Sequence, residues 1–119
     1  MYIMFRYYSF IGLFLVLSCQ TKSQDLDVLF PFPEDNKEVS GLVYHPTNQL
    51  LYALEDKGNA NEIYTFDLDG KPLETITINK VENTDWEDLT MDSNGNLYIG
   101  NFGNNDNTRK DLAIYKLDV

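Results

Sequence analysis

At 119 residues, with 43% hydrophobic, 13% aromatic and 24% charged side chains, the chain has the composition of one small folded domain and not of a disordered or low-complexity segment. The formal net charge is −10, and all 19 acids but only 8 of the 9 basic residues follow Cys19; this excludes a nucleic-acid partner, whose phosphates demand Lys and Arg clusters, and electrostatic adhesion to anionic lipid. With one cysteine and one histidine, an intrachain disulfide and a zinc site of the Cys and His kind are excluded as well.

The chain opens as an export signal. Met1–Arg6 carries a positive charge, Phe10–Leu17 is an uncharged apolar run of eight residues, and Ser18 is the small residue before a cut. A membrane-spanning anchor needs about 20 apolar residues, and Tyr7–Ser18 falls short of that. Residues 1–18 therefore form a leader. Val16-Leu17-Ser18-Cys19 resembles the bacterial lipobox, which implies cleavage before Cys19 and a diacylglycerol on its sulfur, against the alternatives of a secreted free thiol or a signal anchor. Two or three acyl chains hold a protein on a membrane stably where one does not. The expected location is the bacterial cell envelope, lipid-anchored; Gln20 in place of an aspartate favours the outer membrane. Residues 19–37 read as a tether carrying an edge strand: Leu26, Val28 and Phe30 alternate within Asp25–Phe32, and Pro31 and Pro33 confine the strand to an edge or end it.

From residue 38 onward, short apolar runs alternate with turn signals, and no helical periodicity persists. The predicted strands are Gly41–Tyr44, Leu50–Leu54, Ile63–Leu68 and Leu73–Ile78, with His45–Gln49 and Asp69-Gly70-Lys71-Pro72 as turns. The pattern restarts with Trp86–Met91 and Leu97–Phe102 about the Asn-Gly turn at Asp92–Asn96, then Leu112–Leu117 after a Gly- and Asn-rich loop, Gly103–Lys110. Superposing Leu51-Tyr52 on Leu97-Tyr98 gives a period of 46 and brings Asp56-Lys57-Gly58-Asn59 near Asn101-Phe102-Gly103-Asn104. Four-strand units at such a period are the sequence sign of propeller blades. The expected fold is all-β: antiparallel four-stranded blades, with residues 38–119 forming about two blades of a β-propeller, one complete and three strands of a second.

Glu38-Val39-Ser40-Gly41-Leu42, Asp85-Trp86-Glu87-Asp88-Leu89 and Gly95-Asn96-Leu97-Tyr98-Ile99-Gly100-Asn101-Phe102-Gly103-Asn104-Asn105 carry a resemblance to the NHL and gluconolactonase-like propellers. They resemble more closely the SdiA-regulated-like propeller lipoproteins of Bacteroidota. Propellers close about four to eight blades into a ring. The resemblance therefore implies that this chain is an N-terminal fragment or truncated product, or a small domain that completes a ring by oligomerising.

Chemistry is sought first in the acids. Strand alternation puts Asp85 and Glu87 on one face, and Asn101, Asn104, Asn105 and Asp106 of the following loop could meet them. Carboxylates with amide carbonyls are the ligand set of Ca²⁺, and gluconolactonase-like relatives hold a divalent metal with such residues. Asp85, Glu87, Asn101, Asn104 and Asp106 are thus the candidate metal ligands and Ca²⁺ the candidate ion, against the alternative that the amides and glycines only shape tight turns. Asp92-Ser93-Asn94-Gly95 is not an EF-hand loop, because position 12 is Gly103 in place of a bidentate Glu. His45, before Pro46, reads as an exposed turn residue with no nucleophile beside it, and Trp86 with the strand tyrosines reads as packing between blades. The function expected is a non-enzymatic binding module with a protein or glycan ligand. Part of a Ca²⁺-dependent propeller hydrolase, and a remnant without independent activity, are the alternatives.

Overall fold

A computed structural model describes residues 23–119; the leader and Cys19 lie outside the described residues. Among the described residues the regular structure is seven strands: β1 Val39–His45, β2 Leu50–Glu55, β3 Glu62–Phe66, β4 Pro72–Thr77, β5 Asp88–Met91, β6 Leu97–Asn101 and β7 Ala113–Leu117. They form two antiparallel meanders, β1-β2-β3-β4 and β5-β6-β7. Each strand lies within three residues of its predicted bounds at either end, because apolar alternation set its middle and Gly, Asn, Asp and Pro set its ends. Pro72 opens β4 opposite Phe66, a position where the missing N–H costs no ladder bond.

The two sheets pack face to face. Cross-strand partners point to the same side of a sheet. Tyr52, Leu54 and Ile63 of the first sheet therefore meet Leu89, Leu97 and Ile99 of the second in one buried cluster around Trp86, with Val43, Leu50, Ile76, Met91, Tyr115 and Leu117 packed on its flanks. Full burial of an aliphatic side chain contributes roughly 1.5–3 kcal/mol, so this seam between sheets is a principal source of stability. The sheets approach closely at Gly41 of β1, where a Cβ would stand 2.7 Å from the Leu89 nitrogen of β5. A bulge after Val39 lets the neighbouring Ser40 hydroxyl donate to the Trp86 carbonyl at 2.9 Å, a second link between sheets.

The expected strand at Asp25–Phe32 does not form. Described residues 23–37 contain no strand; Leu26, Val28 and Leu29 are 94%, 86% and 85% exposed, and the two prolines supply no N–H to a ladder. The tether docks through aromatic rings instead. Phe32 meets Phe66 edge to face at 5.5 Å, Phe30 meets Phe32 at 5.7 Å, and Phe30 covers Gly70, whose φ of +81° suits glycine and whose Cβ would lie 2.4 Å from the ring. His45 is also corrected: it closes β1 half-buried, its ring 5.9 Å from that of Tyr52 and directly over Gly95. Trp86, just before β5, and Tyr52 of β2 are buried in the seam, while Tyr44 of β1 stands 43% exposed.

Antiparallel order separates the connections into two ends. One end carries the short turns 46–49, 67–71 and 92–96; the other gathers the longer loops 56–61, 78–87 and 102–112. Two of the short turns share one device. The Asp67 carboxylate accepts from the Asp69 and Lys71 amides at 3.0 and 2.9 Å, and that of Asp92 from the Asn94 and Asn96 amides at 2.9 and 3.0 Å. Gly70 and Gly95 take the positive φ that these turns require.

Candidate functional site

The polar residues singled out in the sequence lie at the loop end, where a repeated backbone arrangement places them. The Glu38 amide donates to Glu55 Oε1 at 3.3 Å, and the Asp85 amide donates to Asn101 Oδ1 at 3.2 Å. In each sheet the residue entering the first strand is thus tied to the side chain that ends the second strand. Glu55 and Asn101 are both buried, 4% and 1% exposed, because each serves as this internal tie. Asn101 also donates to the Tyr115 hydroxyl at 3.2 Å.

Asn83 joins the two sheets here. Its Nδ2 donates to the Glu55 and Asp56 carbonyls at 2.8 and 2.9 Å, and its Oδ1 accepts from the Trp86 amide at 3.0 Å. The segment entering β5 is held further by Gly103 N–H to the Asp85 carbonyl at 3.1 Å and Glu87 N–H to the Gly100 carbonyl at 2.9 Å. Strand pairing in the ladder proper starts at Asp88, so Trp86 and Glu87, expected inside the strand, form its lead-in.

These constraints converge three carboxylates. Asp56, Asp85 and Glu87 each present an oxygen within 4.8 Å of the others. Asp85 is 4% exposed, and its carboxylate occupies the space above Gly103, where a Cβ would fall 2.2 Å from Asp85 Cγ. Asp85 Oδ2 has Lys57 Nζ at 3.8 Å, but Lys57 is 54% exposed, and such half-solvated pairs contribute about 0–1 kcal/mol. Asp85 Oδ1 is buried and accepts no hydrogen bond within the described residues. The sequence placed Asp85 and Glu87 together; Asp56 joins them from the loop after β2. Its signal was present in the internal repeat, which set Asp56-Lys57-Gly58-Asn59 against Asn101-Phe102-Gly103-Asn104.

The other expected ligands have different surroundings. Asn101 touches Asp85 only through the backbone amide that its side chain accepts. Asn104 Oδ1 accepts from the Arg109 amide at 2.9 Å, and Asp106 is exposed on the same loop. Arg109 closes that loop by donating from Nη1 to the Gly103 carbonyl at 2.7 Å and from Nε to Asp111 at 3.1 Å. The hydrogen bond that Arg109 donates to Asp111 holds the guanidinium above its ordinary pKa, and reciprocally holds the Asp111 carboxyl below its own. On β3, burial and then the charges of Glu55 and Glu62 push the Tyr64 phenol up.

Meanders packed face to face, touching at their first strands and carrying their long loops at a common end, define a propeller-like all-β domain. The chain belongs to the SdiA-regulated family, whose family model matches residues 20–118. No curated protein and no solved structure matches the chain at a significant level.

Proposed function

We propose that the chain is a lipid-anchored, extracytoplasmic binding module that presents its loop end to a protein or glycan ligand. The observation that carries the reading is the position of the tether. Phe30 and Phe32 dock on Gly70 and Phe66, at the short-turn end of the first sheet. Cys19 lies eleven residues before Phe30, a reach of up to about 40 Å at full extension. An acylated Cys19 would tether the domain from its short-turn end, with the loops 56–61, 78–87 and 102–112 at the opposite end and free to meet a ligand. The lipobox-like sequence at Val16–Cys19 supports the anchor, and the apolar run before it supports export.

The reading as a binding module rests on the loop end. Long loops on a fixed scaffold are the usual carriers of recognition.

Two measurements in intact bacteria test the reading. Palmitate incorporation and membrane fractionation should both be lost in Cys19→Ala. A photo-crosslinking residue should capture envelope components from positions 105 and 107 of the loop end and not from position 69 of the short-turn end. Equal capture from both ends, or unchanged fractionation of Cys19→Ala, would overturn it.

A further inference from the structure

We infer that the chain assembles head to tail with further copies of itself, the outer face of its second sheet docking on the outer face of the next copy's first sheet. The ladders show why these two surfaces match. On the outer face of the first sheet, Leu42, Tyr44, Leu51, Ala53, Tyr64 and Phe66 are cross-strand neighbours. In the second sheet the same pairing pattern runs through Leu89, Met91, Leu97, Ile99, Tyr115 and Leu117, the face that closes the seam. The first sheet thus repeats, on its outer side, a surface that the second sheet has covered by another sheet. All six of its positions are apolar or aromatic, where a strand face meant for water turns polar. The tether shields the Phe66 corner through Phe32 and leaves Leu42 and Tyr44 of β1 47% and 43% exposed.

The opposite surface is the outer face of the second sheet, equivalent by the internal repeat to the face with which the first sheet enters the seam. Tyr98 stands in the place of Tyr52, and Gly100 in that of Leu54. The ring of Phe102 fills the space that Gly100 leaves, and Ile114, the ladder partner of Gly100, is 66% exposed. Asp88 departs from its counterpart Gly41 by carrying a side chain, whose Oδ1 turns back to accept the Leu89 amide at 2.8 Å. Adjoining copies therefore stand further apart at their first strands than the two sheets of one copy do. A face of four strands about 4.8 Å apart, each of five residues at about 3.3 Å, spans roughly 300 Å², small beside the roughly 800 Å² per partner of a stable interface. One such contact is weak, and closure into a ring gives each copy two. With two sheets per copy and about four to eight sheets in a closed propeller, the ring holds about two to four copies. Both sheets have their short turns at one end, so all copies in a ring turn their long loops to the same side. Stacking uses sheet faces alone and does not depend on the anchor or on a ligand at the loop end.

Cross-linking of the full chain in intact bacteria tests the assembly. In the seam Gly41 faces Leu89, and the equivalent pair between copies is Asp88 of one and Leu42 of the next, which lie on opposite outer surfaces of a single chain. Leu42→Cys combined with Asp88→Cys, treated with a short bismaleimide, should give a ladder of multiples of the chain that stops at about two to four copies. Either substitution alone should give a dimer at most, which accounts for any thiol at Cys19. Tyr44→Arg and Ile114→Arg, one on each surface and both at exposed side chains, should each lower the ladder of the double-cysteine chain at least about tenfold, since a charge would be buried without a partner. Trp86 emission of the purified variants should stay unchanged, because Trp86 lies in the seam and on neither outer face. Should one arginine variant fail to fold, the other decides. A double-cysteine chain no more cross-linked than its single variants, or a ladder undiminished by both arginines, would overturn the stacking. A ladder without an upper limit would overturn the ring, and an adduct with a different protein in place of the ladder would overturn self-assembly.

Discussion

Replacing Gly41 by Ala tests whether the two sheets touch as described. The added Cβ would lie 2.7 Å from the Leu89 nitrogen, 2.9 Å from the Asp88 carbonyl carbon and 3.0 Å from Leu89 Cβ. Two of these three atoms are main chain, so no rotamer change can yield, and β1 must separate from β5 by several tenths of an ångström. Overpacking of this kind costs typically about 1–3 kcal/mol, and a rigid backbone neighbour places it in the upper half. The lost flexibility of the unfolded chain offsets about 0.4–1 kcal/mol. The net destabilisation expected is therefore about 1–2.5 kcal/mol, or a fall in Tm on the order of 5–20 °C for a domain of this size. Urea unfolding followed by Trp86 fluorescence measures it. Gly58→Ala is the comparison: its φ of +88° makes Ala strained, yet nothing lies within 4 Å, so its cost of about 1–2 kcal/mol is conformational alone. Adding Leu89→Ala should relieve Gly41→Ala little, because the Leu89 nitrogen remains. A Gly41→Ala chain as stable as the parent, or rescued fully by Leu89→Ala, would refute the close approach of β1 and β5.

Three other outcomes are expected. Asn83→Ala orphans the Glu55 and Asp56 carbonyls and the Trp86 amide, and should cost about 2–3 kcal/mol in urea unfolding where exposed Asn79→Ala costs about 0.5 or less. Hydrogen bonds led by Asn96 hold the Asp92 carboxyl down from 3.8 to about 2, so carbon-detected NMR titration should find it there, and Asn96→Ala should raise it. Because the folded pKa is the lower one, this contribution to stability is complete above pH of about 4 and is lost as pH falls through about 2. Trp86, fully buried and with Nε1 making no hydrogen bond, should emit at short wavelength and resist acrylamide, while Trp86→Phe should lose packing but no polar partner, costing about 1–2 kcal/mol.

The sequence revealed the strands well because each one faces a core on a period of two and is bounded by residues with special backbone conformations. Leu97–Asn101 could be read from Asn94-Gly95 before it and Gly103 after it, and Leu50–Glu55 from its turn and its apolar run. The tether was misread for a related reason. Leu26, Val28 and Phe30 have strand alternation, but a strand also needs a ladder partner, and sequence alternation does not say whether one exists. Half of the acidic cluster was legible, since Asp85 and Glu87 are two residues apart and their alternation survives in the lead-in to β5. Asp56 was not singled out because its meeting with Asp85 depends on how one sheet stacks upon the other, information carried by Asn83 and Gly41 and invisible to local periodicity. Asn101 also serves as a buried tie to the Asp85 amide and Tyr115, a task that any sequence rich in Asn and Gly conceals behind ordinary turn composition.

The separation of short turns from long loops has an evolutionary meaning. At positions 67–71 and 92–96 an aspartate fixes a five-residue turn, and one inserted residue there would shift the ladder and reverse the faces of the strands that follow. At the opposite end, lengthening 78–87 or 102–112 changes no register, and closing a loop of doubled length costs only about 0.6 kcal/mol. A change of length is thus tolerated on one side and punished on the other. Descendants of this chain can exchange one specificity for another by insertion and deletion while their skeletons remain superimposable.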